Sequence, residues 1–179
     1  MDGVVIVDSD PRWPNVFAQE AERVRAVPGA EQVTAIEHLG STAVPGLAAK
    51  PIIDLLIGVH SLDEARRAVP ALAELGYAFW YDNPDTDRLF FVKGLPPNGP
   101  RTHHLHIVEP DSPLWERLLF RDYLLTHPEE VQRYAALKRD LAARFPTDRE
   151  GYTQAKADYI LQVTHKARQN KEAETKQGV

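Results

Sequence analysis

The chain has 179 residues, 43% of them hydrophobic and 26% charged, with a formal net charge of −5. That length supports one domain with a sizeable core, and the acidic balance leaves no global basic footprint for duplex nucleic acid, though a local cationic pocket could still take a small anion. No cysteine is present, which excludes disulfides and thiolate metal sites and fits a reducing cytoplasm. No apolar run approaches the roughly 20 residues that span a bilayer. The opening MDGVVIVDSDPRWP lacks the basic and apolar regions of a signal peptide, so a cytoplasmic location without a membrane partner is expected.

Val4 to Asp8 reads as a short edge strand. Pro14 suits the first position of a helix, along which Phe17, Ala18, Ala21 and Val24 recur at helical spacing until Pro28-Gly29 ends it. Strands are expected over 33–38 and 52–59, separated by a Gly-Ser loop. Ser61-Leu62-Asp63-Glu64 is a capping box that starts a helix, and Pro70 bends or splits that helix before Gly76 ends it. Tyr77 to Tyr81, Arg88 to Lys93 and 103–109 read as further strands, with a Pro/Gly-rich connection over 94–100.

From Ser112 the pattern is helical, with helices expected near 113–126, 128–144 and 148–167, the last opened by a capping box at Thr147-Asp148-Arg149-Glu150. The segment after Arg168, QNKEAETKQGV, has no apolar face and is expected to fray. The expected organisation is one domain over 1–167, sheet-bearing to about 110 and helical over about 112–167, with a flexible tail at 168–179. The sheet is expected to be mixed, with helices on one side and a helical C-terminal third.

Chemistry concentrates in Ile36 to Val59. Gly40 after a strand lets a phosphate approach the backbone, and the Ser41 hydroxyl can donate to it. Asp54 is the lone carboxylate in an apolar strand, and a buried strand tolerates an unpaired carboxylate poorly. Two readings stand for it: a ligand to a divalent cation that bridges to phosphate, or a carboxylate satisfied by Lys50, Arg88 or a backbone N–H. Lys50 reads either as a phosphate-facing cation or as a surface lysine, and Arg88 and Arg101 either as phosphate contacts or as solvated charges.

In the strand over 103–109, side chains at i and i+2 share a face. His104 and His106 therefore point together, and His103, Leu105 and Ile107 point to the other side. Two imidazoles on one face can ligate a metal, bind phosphate or move protons; they can equally be hydrogen-bonded core residues. Arg88 and Lys93 have opposite parity and face opposite sides of their strand. Trp115, Phe120, Tyr123, Tyr134 and Phe145 read as core, Arg121-Asp122 as an ion pair, and His127-Pro128-Glu129 as helix punctuation.

The segments DPRWPNVFAQE, IEHLGSTAVPGLAAKPIIDLLIGV, ELGY, HHLHIVE, LLFRDYLLTHPE, YAALKRDLA and DREGYTQAKADYI resemble the GrpB family nearly from end to end. The resemblance implies an α+β fold like that of polymerase-β-type nucleotidyltransferases, a mixed sheet with flanking helices. It also implies a nucleotide or CoA context, since such proteins occur fused to dephospho-CoA kinase, and hence a CoA-pathway enzyme as a partner. Active nucleotidyltransferases carry Gly-Ser, a spacer, and an Asp-x-Asp pair, with a third carboxylate on a later strand.

Gly40 and Ser41 match the first element and Asp54 one acid of the pair. The other acid falls on Ile52 or Leu56, neither of which binds a cation. The later strand corresponds to the one carrying His104 and His106, with Glu109 at its end. The resemblance thus implies a nucleotide or phosphate site at Gly40 and Ser41, to which the residue reading adds Lys50, Arg88 and Arg101 as candidate ligand contacts. Asp54, His104 and His106 are its catalytic candidates, and Mg²⁺ on Asp54 its cofactor. The missing acid leaves two functions open: nucleotidyl transfer, or a catalytically silent module that supports a partner enzyme.

Overall fold

Five strands form the centre: β1 (Val33–Leu39), β2 (Ile53–Val59), β3 (Tyr77–Phe79), β4 (Arg88–Lys93) and β5 (His103–Val108). In the computed structural model, which describes residues 3–95 and 99–177, they make one mixed sheet of order β1-β2-β5-β4-β3. β2 and β5 run parallel and every other neighbouring pair is antiparallel. β2 is apolar at almost every position, because it is covered on both faces.

One face packs against α1 (Trp13–Arg25), α2 (Leu62–Ala65) and α3 (Val69–Glu74). There Leu55, Ile57, Leu105, Ile107 and Phe91 meet Ala21, Val24, Ala65 and Leu72. On the other face Leu39, Leu56 and Val108 meet Leu114, Trp115 and Leu118, from a 3-10 turn over Pro113–Glu116 and from α4 (Arg117–Thr126). The chain continues through α5 (Pro128–Arg144), α6 (Arg149–Ala155) and α7 (Ala157–Gln177). Val44, Leu47 and Ala48, in the loop between β1 and β2, are buried against Leu124, Val131 and Tyr134 of α4 and α5. The Gly-Ser loop is therefore clamped between the sheet and the C-terminal helices.

The α+β architecture expected from sequence is present, with corrections. Val4 to Asp8 forms no strand in the sheet; a single bridge joins Val7 to Ala49. Helices cover both faces rather than one, because α4 lies on the face opposite α1. Pro70 does split its helix, into α2 and α3 joined by a 3-10 turn. The third C-terminal helix breaks at Lys156, and its N-cap is Asp148, which accepts from the Gly151 N–H at 2.8 Å, rather than Thr147.

Residues 168–177 continue α7 instead of fraying. Val163, Thr164 and Ala167 are buried, and Arg168 pairs with Glu116 at 2.9 Å, so the helix is anchored just before a stretch rich in helix-permissive Lys, Glu and Ala. The rest of the expected tail, and Pro96 to Asn98 of the Pro/Gly-rich connection, lie outside the described residues.

Candidate functional site

The parallel register sets Asp54 beside His104 and Leu56 beside His106. Since alternate residues of a strand share a face, Asp54, His104 and His106 project together, on the side away from α1. The His104 Nδ1 lies 2.9 Å from Asp54 Oδ1 and the His106 Nε2 lies 3.7 Å from the same oxygen. Asp54 is deeply surrounded by protein yet keeps 27% of its side-chain surface accessible, which places it at the floor of a recess. Burial alone would raise its pKa, but hydrogen bonds from both histidines outweigh it and hold the carboxyl well below the usual range. Burial pushes His106 down, opposed by Asp54.

Gly40 forms the neighbouring wall. Leu39 pairs with Asp54 across β1 and β2, and the chain then turns at Gly40 with φ +78°. A Cβ at Gly40 would lie 2.7 Å from Asp54 Oδ2, so both conformation and space require glycine here. Gly40→Ala is expected to cost about 1–3 kcal/mol from backbone strain alone and to displace the Asp54 carboxylate; urea unfolding of the variant measures the cost. After the turn, Ser41 approaches the Tyr134 hydroxyl of α5, and Thr42 Oγ1 donates to the Ile52 carbonyl at 3.3 Å. His38 contacts Thr42 Oγ1 at 3.0 Å and stacks on Phe17; burial pushes it down to about 4, so its ring is neutral at pH 7.

The third side of the recess joins Lys50, expected from sequence as a ligand contact, to Lys138, Lys156 and Arg117, which the sequence did not single out. Lys50, three residues before β2, has its Nζ 4.9 Å from the centre of the Tyr152 ring of α6, and the Lys156 Nζ lies 4.7 Å from the same ring. The Lys138 Nζ of α5 sits 4.7 Å from the Tyr134 ring centre. Burial depresses all three, Lys50 and Lys156 to about 8 and Lys138 to about 6. Lys156 also repels Lys50 and Lys138, Arg117 and Arg149 repel Lys156, and Asp54 pulls Lys50 and Lys156 back up. Lys138 is 1% exposed and its Nζ has no hydrogen-bond partner. Among the described residues none of the three ammonium groups has a carboxylate partner. Arg117 of α4 adds a fourth cation that feels Asp54.

The remaining candidates divide. Arg88 is largely buried, pairs with Asp85 and reaches the His106 Nδ1 at 3.4 Å, so it borders the triad. Lys93 faces the other side, as its parity requires, and pairs with Glu20. Arg101 lies in the electrostatic neighbourhood of Lys50. Glu109 does not join the site: its Oε1 accepts from the Leu62 N–H at 2.8 Å and caps α2 at the far end of β5. Arg121 pairs with Glu37 and Asp122, as an ion pair rather than a ligand contact.

A family model described as GrpB protein matches residues 3–166. The chain belongs to this family. It is 48% identical to the UPF0157 protein PA4798 of Pseudomonas aeruginosa, over 93% of this chain and 68% of that protein. The crystal structure of conserved protein GrpB from Enterococcus faecalis superposes with a TM-score of 0.83 at 30% identity, covering 93% of this chain and 98% of that one. The chain is also 26% identical to a dephospho-CoA kinase of Mycobacterium tuberculosis, where it spans 90% of its own length but 45% of the kinase. No helix among the described residues is long and apolar enough to cross a membrane.

Proposed function

We propose that the recess binds a phosphate-bearing ligand, a nucleotide or a related ester, with the Gly40-Ser41 turn and the lysines as its cradle. One observation carries this reading: Lys50, Lys138 and Lys156 converge without a carboxylate counter-charge among the described residues. Bringing cations together in a desolvated place is unfavourable for the fold, and an anionic ligand reverses that penalty. The likeness to a dephospho-CoA kinase fits a nucleotide or CoA context, and a partner enzyme of that pathway belongs to the same proposal.

The donor set does not fit the Mg²⁺ expected from sequence. Mg²⁺ prefers oxygen ligands in a near-octahedral shell, and the triad offers one carboxylate and two imidazoles. Ile52 and Leu56 flank Asp54 where a second acid would stand, so two-ion nucleotidyl transfer lacks its ligands. A second reading, transfer to an acceptor hydroxyl or amine, rests on the 2.9 Å contact between His104 and Asp54, the arrangement of a base held by an orienting carboxylate. The third, a silent module regulating a partner, keeps the ligand and drops the transfer.

Calorimetric titration with nucleoside triphosphates and CoA precursors tests the site, and a labelled-nucleotide transfer assay separates the readings. Saturable binding is expected, weakened roughly tenfold or more in Lys50→Met and Lys156→Met, because a hydrogen bond to a charged group contributes about 1.5–3 kcal/mol. Affinity should fall as pH is raised through about 8, where these two lysines lose their protons. Absence of heat with every phosphate compound would sink the proposal.

A further inference from the structure

We propose that Asp54, His104 and His106 form a binding site for one divalent first-row transition-metal ion. The three side chains each offer a donor atom, and these atoms lie within 4.8 Å of one another. Two donors bound to a common ion at about 2.1 Å, at angles between square and tetrahedral, stand roughly 3.0–3.4 Å apart. The separations of 2.9 and 3.7 Å from Asp54 Oδ1 bracket that range. All three residues sit on two directly paired strands, so the backbone holds their spacing.

The donor set selects the ion class. Two imidazoles and one carboxylate with open positions suit Fe²⁺, Mn²⁺ or Zn²⁺ rather than Mg²⁺ or Ca²⁺. A purely structural hydrogen-bond cluster explains less. Among the described residues Asp54 Oδ2, which faces Gly40, accepts no hydrogen bond. Phe90 flanks both rings, with centroids 5.3 Å from His104 and 4.9 Å from His106, and limits water on that side. Arg88 donates to the His106 Nδ1 at 3.4 Å. Binding through Nε2 moves the ring proton to Nδ1 and leaves Arg88 on Asp85 alone.

The test needs metal alone, so it stands apart from the phosphate reading. Protein stripped with a chelator and desalted is titrated with Co²⁺ as a spectroscopic probe, then with Zn²⁺, Mn²⁺ and Mg²⁺. One equivalent of Co²⁺ should give visible ligand-field absorption that Zn²⁺ displaces and Mg²⁺ does not. His104→Ala and His106→Ala should each weaken binding at least tenfold, and His60→Ala, on an exposed histidine outside the cluster, should not. His104→Asn and His106→Asn, checked by circular dichroism, replace any alanine variant that fails to fold. Absence of a saturable one-equivalent site, unchanged affinity in the histidine variants, or preference for Mg²⁺ overturns the proposal.

Discussion

Lys138→Met is expected to stabilise the fold while weakening phosphate-ligand binding at least tenfold. Replacing a buried ion by an apolar side chain of similar volume is commonly neutral or stabilising by about 1–4 kcal/mol, and for a chain of this size each kcal/mol shifts the melting temperature by about 2–4 °C. Lys138 is 1% exposed, its Nζ has no hydrogen-bond partner, and Lys156, Arg139 and Lys50 all repel it. Methionine keeps the stem against the Tyr134 ring and removes an amine that burial holds largely uncharged above pH 6 and that a bound anion would re-protonate.

The pH dependence gives a second readout. The folded pKa is pushed down to about 6 from 10.5, so between those values the unfolded chain binds the extra proton and wild-type stability from this group rises with pH. The advantage of the variant should therefore be largest near pH 6 and narrow by pH 9. Thermal melts of both proteins at three pH values, with calorimetry in a phosphate ligand, measure the two effects. A variant that loses stability would show that Lys138 is held by an interaction other than packing, and the anion reading would lose its carrier.

The parts of the site that sequence reading reached were those with a short-range period. A strand alternates every two residues, so the shared face of His104 and His106, and the opposite face for His103, followed from spacing. Asp54 stood out because an apolar strand has one reason at most to carry a carboxylate. The lysine wall depends on α5 and α6 closing over the loop between β1 and β2, a long-range arrangement with no local period.

One local signal was present for Lys138. Val131, Tyr134, Ala135, Lys138 and Leu141 form a single buried helical stripe, and a lysine on such a stripe signals an internal charge. Lys156 gave no such signal, because it sits at the break between two helices. For residues 168–177 the hydrophobic pattern is silent, and helix continues from the anchored turn before it. The sequence left the role of Glu109 open, because which groups meet the far end of a strand is a long-range matter: β5 begins at the triad and ends at α2.

Glu20→Ala is expected to destabilise the protein by about 3–5 kcal/mol, since breaking one partner out of a buried ion pair leaves the other uncompensated. Glu20 is 2% exposed on the buried face of α1. It accepts from the Tyr77 hydroxyl at 2.9 Å, from the Lys93 Nζ at 2.7 Å and from the Arg23 guanidinium at 3.2 Å. One carboxylate thus ties α1 to β3 and β4, the edge that carries Arg88 and Phe90 toward the triad.

Lys93 keeps 23% of its side chain exposed, so part of its lost partner is replaced by water and the cost should fall in the lower half of the range. Glu20→Leu combined with Lys93→Leu should recover much of it, because no charge is then stranded. Burial would raise the Glu20 pKa, but Lys93 and Tyr77 outweigh it and the folded value is lowered from 4.5. Its contribution is complete above that ordinary value and is lost as pH falls below it through the folded pKa. Urea unfolding at pH 7 and pH 3 should show the gap between Glu20→Ala and wild type shrinking in acid. An equal gap at both pH values would mean that the carboxylate acts through packing, and the charge-based account of this edge would fail.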